Sequence, residues 1–156
     1  MTTIAYDGKT ISAESRCVKG GEIVTNNFNK FHFYGNKLFV IAGSNHQIKE
    51  FIENFEVGKI HRVLDCSAIL VEKGNNIPYY ADQTKDGEFY KLPLVDANIV
   101  ESGPIKYAIG SGADWAEGAM LANMDSRAAV KIACQKDPYS GGRILTFDVE
   151  KFEFIK

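Results

Sequence analysis

The chain begins MTTIAYDGKT, so the residue behind the initiator methionine is a threonine. Methionine aminopeptidase removes Met1 when the next side chain is small, and threonine is small enough. Thr2 then carries a hydroxyl and a free α-amino group on one residue, a nucleophile with its own base attached. The plainer reading is that Thr2 and Thr3 are β-branched and suit the start of a strand. Five further stretches hold polar groups that stand out from their surroundings. They are AESR at 13–16, Lys30 at the head of NKFHFY, IAGS at 41–44, IGSG at 109–112 and KDPYSGG at 136–142. Taken singly they are ordinary: Lys30 is a strand-end lysine facing water, and Asp137-Pro138 is a helix stop.

Other chemistries find less support. Cys17, Cys66 and Cys134 are widely spaced, with no C-x-x-C pair, and His32, His46 and His61 lack metal-ligand spacing. All six read as structural, the thiols as free groups in a reducing cytoplasm, and no cofactor is expected. No phosphate-binding G-x-x-x-x-G-K-[ST] loop is present. A net charge of −2 leaves no basic surplus to hold phosphates, which argues against nucleic acid as the main partner. No apolar run reaches the ~18 residues of a membrane span, and no signal peptide is visible. The 156 residues, 45% hydrophobic and 24% charged, suit one domain over 1–156.

The elements that must position these groups follow from periodicity. Residues 3–6 and 10–14 read as a hairpin about Asp7-Gly8. A polar loop rich in Gly and Asn follows. Residues 28–34 alternate apolar with polar, Gly35-Asn36 turns the chain, and KLFVIAG runs on as a buried strand. In SNHQIKEFIENF, Ser44 is the expected N-cap, and Ile48, Phe51, Ile52 and Phe55 share one helical face. From about Cys66 to Val100 the pattern returns to strands. IKYAIGSG is a short strand ending in a tight corner. Two helices follow: ADWAEGAMLANM, then one capped by Asp125 or Ser126 and ended by Pro138. Two strands close the chain around 149–151. Helices come in blocks rather than after every strand, which favours α+β architecture with antiparallel sheets and helices layered outside them.

In this order the stretches TTIAYDGKTISAESR, AIGSG and DPYSGG resemble the β-type subunits of proteasomes, and most nearly the bacterial proteasome-like peptidase HslV. The resemblance spans nearly the whole chain. It implies a four-layer αββα sandwich, the fold of N-terminal nucleophile (Ntn) hydrolases. The segment between Gly58 and Cys66 is too short for the family's long second helix.

What the resemblance implies for the site is specific. Thr2 is the nucleophile, with an exposed hydroxyl. Lys30 is the essential lysine, which lowers the pKa of the Thr2 amine by like-charge repulsion. Glu14 stands where most members carry aspartate and holds that lysine. Ser111 bonds near the amine, Asp137 and Ser140 orient Thr2, and the Gly43 N–H serves the oxyanion. The implied partners are peptide or unfolded-protein substrates, further copies of the chain in a homo-oligomeric ring, and a AAA+ ATPase unfoldase. The alternatives are an Ntn hydrolase of a non-protein amide and a non-catalytic proteasome-like scaffold.

Overall fold

The computed structural model describes residues 2–95 and 105–156. Twelve strands and three α-helices follow one another in these residues. They are β1 (Ile4–Tyr6), β2 (Thr10–Ala13), β3 (Cys17–Lys19), β4 (Glu22–Thr25), β5 (Phe31–Tyr34), β6 (Lys37–Gly43), α1 (Ile48–Asn54), β7 (Cys66–Glu72), β8 (Tyr79–Gln83), β9 (Phe89–Pro93), β10 (Tyr107–Ile109), α2 (Ala113–Leu121), α3 (Ser126–Lys136), β11 (Leu145–Asp148) and β12 (Glu153–Phe154). One five-stranded antiparallel sheet has the order β10-β1-β2-β11-β12, and a second has the order β5-β6-β7-β8-β9. No described helix is long and apolar enough to cross a membrane.

The period of two along each strand explains the layering. On β6, Leu38, Val40 and Ala42 join a core shared with Ile4, Tyr6, Ile11 and Phe147 of the first sheet. Phe39 and Ile41 point the other way, against Ile48, Phe51 and Ile52 of α1. On β1 the intervening Ala5 packs with Ala116 and Met120 of α2 and Ala129, Val130 and Ala133 of α3. Each sheet is thus covered on both faces. That is why KLFVIAG and CSAILVE read as almost unbroken apolar runs. Each fully buried leucine or isoleucine in them contributes roughly 1.5–3 kcal/mol of transfer free energy.

The expected strands of the hairpins over 3–14 and 28–43, the break at Gly58 and the two closing strands are all present. The Asp125 carboxylate accepts from the Ala128 N–H at 2.8 Å and caps α3. Two expectations need correction. The Gly- and Asn-rich loop after residue 16 contains a hairpin, β3–β4, with Lys19 paired to Glu22 across Gly20-Gly21. Ser44 does not cap a helix by its side chain. A 3₁₀ turn, Asn45–Gln47, intervenes before α1, and the Ser44 hydroxyl bonds the His46 ring instead. The last part of the expected middle strand region, 96–100, lies outside the described residues.

Candidate active site

Three strand ends and one loop converge on Thr2. Phe31 is the first residue of β5 and lies 3% exposed in the shared core, its ring edge-on to Phe154 at 5.1 Å. Anchoring Phe31 inward fixes the residue before it. Lys30 is 4% exposed, so the strand-end lysine does not face water. Its Nζ donates to Thr2 Oγ1 at 2.6 Å and to Glu14 Oε1 at 2.7 Å. Burial lowers the Lys30 pKa, and the Glu14 carboxylate opposes that shift.

Glu14 follows the last residue of β2 and is 1% exposed. Besides Lys30, its Oε1 accepts the Thr3 N–H at 3.1 Å. Its Oε2 accepts the N–H groups of Arg16 at 2.9 Å and Gly141 at 3.0 Å. A buried carboxylate with four donors is fully satisfied, which is the condition for keeping an ion pair in a core. The carboxylate thereby ties the first strand, the lysine and the 137–142 loop together.

That loop starts where Pro138 ends α3. The Asp137 carboxylate accepts from the Tyr139 N–H at 3.1 Å, from Ser140 Oγ at 2.7 Å and from Ser111 Oγ at 2.5 Å. Burial alone would raise the Asp137 pKa. The hydrogen bonds from Ser111, Ser140 and Tyr139 outweigh it and hold the group below the usual aspartate value. Ser111 Oγ in turn accepts the Thr2 N–H at 3.1 Å. A relay therefore runs from the Thr2 nitrogen through Ser111 to Asp137 and Ser140, and Ser140 Oγ meets Thr3 Oγ1 at 2.7 Å.

Two glycines permit the close approach. Gly43 has φ +134°, and a Cβ there would lie 2.0 Å from the Asp65 carbonyl oxygen. Gly110 has φ +97°, and a Cβ there would lie 2.0 Å from the Thr2 carbonyl oxygen. Any other residue would push the neighbouring chain away. A cavity of about 630 Å³ opens over this centre, with Thr2, Lys30, Gly43, Cys17, Asn45 and His46 in its walls.

Seven positions marked in the sequence thus fall together. Thr2, Lys30, Glu14, Ser111, Asp137 and Ser140 form one hydrogen-bonded cluster, and Gly43 borders the same cavity. Thr2 is less open than expected: the residue is 3% exposed, with its hydroxyl bonded to Lys30 and its N–H to Ser111. Sequence reasoning missed Thr3, Arg16 and Gly141. Arg16 donates to the Pro138 carbonyl at 2.8 Å and to Asn26 Oδ1 at 2.9 Å, binding the 137–142 loop to the base of the β3–β4 hairpin. The signal for it was present, since Arg16 closes the AESR stretch. Cys17 and His46, read as structural, line the cavity.

No family model and no curated protein matches the sequence. Solved structures do match. One is a BPH from Thiobacillus denitrificans, determined in complex with epoxomicin. It is 16% identical, with a TM-score of 0.65 over 95% of this chain and 98% of that one. Another is the eukaryotic HslV of Trypanosoma brucei, 17% identical, with a TM-score of 0.64 over 94% of this chain and 98% of that one. At such identities the likeness establishes the fold: this chain has the α+β fold of these proteins along nearly its full length.

Proposed function

We propose that the protein is a threonine peptidase of the proteasome β and HslV type, acting through an acyl-enzyme on Thr2 after Met1 is removed. The observation that carries this reading is the contact of Lys30 Nζ with Thr2 Oγ1 at 2.6 Å, backed by Glu14 at 2.7 Å. A buried lysine–glutamate pair is costly to maintain in a core, and here it points at the one hydroxyl that can share a residue with a free amine. The fold of the two solved neighbours supports the same reading.

The chemistry follows from the geometry. Once Met1 is gone, the Thr2 nitrogen is an α-amine beside Ser111 Oγ. It takes the Oγ1 proton as Oγ1 attacks the scissile carbonyl. The Lys30 charge, retained by Glu14, disfavours protonation of that amine and so holds it ready as a base. The Gly43 N–H stabilises the oxyanion. The carbon–nitrogen bond breaks, and the leaving amine takes the proton from the Thr2 ammonium. Water then hydrolyses the ester by the same path. Asp137 and Ser140 hold Ser111 in place.

The two sheets and their helices form one domain, a four-layer αββα sandwich. Copies of the chain assemble into a ring that encloses the active sites in the cytoplasm. Unfolded protein is delivered by a AAA+ ATPase on another chain. The test is an intact mass of the purified protein with and without a peptide epoxyketone, a reagent that needs both the hydroxyl and the free amine. Loss of Met1 and a single adduct are expected. Thr2→Ala should keep the fold, form no adduct and lose peptide cleavage by about 10³-fold or more. Retained Met1, or cleavage persisting in Thr2→Ala, would overturn the reading in favour of a scaffold or another nucleophile.

A further inference from the structure

Two cavities meet at Gly43. The first, of about 630 Å³, holds Thr2 and Lys30. The second, of about 460 Å³, lies beyond it, with Gly43, Gly110, Ser111, Ser67, Asp65 and Asp82 in its walls. If Thr2 is the nucleophile, as proposed above, the chemistry tells the two apart. The leaving nitrogen must take its proton from the Thr2 amine, and that amine is held by Ser111. The leaving half of the substrate therefore lies on the Ser111 side, in the second cavity, and the acyl half lies in the first.

The two cavities differ in charge. The first is bordered by Arg16, Lys19, Lys30 and His46 and by one acid, Asp65, which it shares with the second. The second has Asp65 and Asp82 in its walls and no Lys, Arg or His. Among the described residues neither aspartate forms an ion pair. Among the described residues the Asp82 carboxylate accepts from two neutral donors, the Tyr80 hydroxyl and the Gln83 N–H. Residues 96–104 contain Asp96 and Glu101 and no Lys or Arg, so that segment adds no countercharge either. The cleft is thus polarised across the scissile bond, and among the described residues no Lys, Arg or His side chain lines its negative end.

We propose that the second cavity receives the leaving half of the substrate and selects a Lys or Arg directly after the scissile bond. Opposite charge in the substrate completes the pairing that the protein leaves open, and an acidic residue there meets like charge.

Internally quenched peptides that share one acyl half and carry Lys, Ala or Glu directly after the scissile bond test this. The readout is the ratio of kcat/KM within one enzyme, so the overall rate of a variant does not enter. The expected Lys-to-Glu ratio is about tenfold at low salt, shrinking as salt screens the pair. Asp65→Lys, at an exposed position, leaves Asp82 facing one new cation and should bring the Lys-to-Glu ratio close to one, and Asp82→Asn should reduce it. Equal rates for the three peptides in the wild type, or an unchanged ratio in Asp65→Lys, would overturn the proposal. The epoxyketone adduct separates the two readings, because it reports the nucleophile without any leaving half. An adduct with no discrimination sinks only the selectivity. No adduct and no cleavage sinks the peptidase reading and the selectivity with it.

Discussion

The two sheets divide the molecule's tasks unequally. In and beside the first sheet, Thr2, Thr3, Ser12, Glu14 and Ser15 are all no more than 3% exposed. In the second sheet the only polar side chain so classed as buried among the described residues is Gln83, at the end of β8 and 8% exposed. Gln83 serves the backbone: its oxygen accepts the Leu64 N–H at 2.7 Å, and its amide donates to the carbonyls of Arg62 and Gly87. The second sheet is an apolar platform, stabilised by area. The first is held by hydrogen bonds between groups that would be destabilising if any partner were lost. Even away from the cluster it follows this rule, since Ser12 Oγ bonds both Ser126 and Thr146 at 2.8 Å. The difference teaches that the polar centre is gathered at the first sheet, while the second, mostly apolar, reaches it through Lys30 at the head of β5.

Substitutions can break this division. Lys30→Ala should have the largest effect, on both counts. It removes the cation beside Thr2 and strands the Glu14 carboxylate, costing about 3–5 kcal/mol of stability together with the proposed peptidase activity. Chemical denaturation and peptide turnover would measure the two. Leu70→Ala, in the middle of β7 and fully buried, should cost about 2–5 kcal/mol but leave kcat of the folded fraction near its original value. A loss of kcat to match that of Lys30→Ala would show that the platform is part of the machinery.

Asp137→Asn should be milder. Hydrogen bonds to a charged group contribute about 1.5–3 kcal/mol, so the rate should fall by about tenfold to a hundredfold. It should also sharpen the comparison through pH. The native state holds the Asp137 pKa below the ordinary 3.8. The stability this group contributes is therefore present above that value and lost as pH falls below it. Unfolding curves of the wild type should show this acid loss, and Asp137→Asn should blunt it. An identical acid limb in both proteins would contradict the assigned hydrogen bonds.

Legibility in the sequence followed the same division. The second sheet was readable because burial on both faces leaves continuous apolar runs, and β6 matches KLFVIAG residue for residue. The candidate site residues were ordinary one by one, and only the order of their stretches along the chain, in its resemblance to proteasome β subunits and HslV, marked them together; the structure brings the marked positions to one cavity. The β3–β4 hairpin was not. Its seven residues are half-buried or exposed, with Ile23 at 52% and Val24 at 62%, so no core imposes an alternating pattern on them. The Gly20-Gly21 pair, with φ +58° and +82°, was the available signal for a two-residue turn. Thr3 was missed for another reason. Its partners, Glu14 and Ser140, lie 11 and 137 residues away, and no local pattern announces a hydroxyl facing inward.

The contacts of Thr2 reach far along the chain. Its N–H meets Ser111, 109 residues away, and its hydroxyl meets Lys30, 28 residues away. The first strand must take its place between β2 and β10 before those partners stand beside it. An unfolded chain therefore carries the threonine but none of its neighbours, and the centre comes into being only with the tertiary structure.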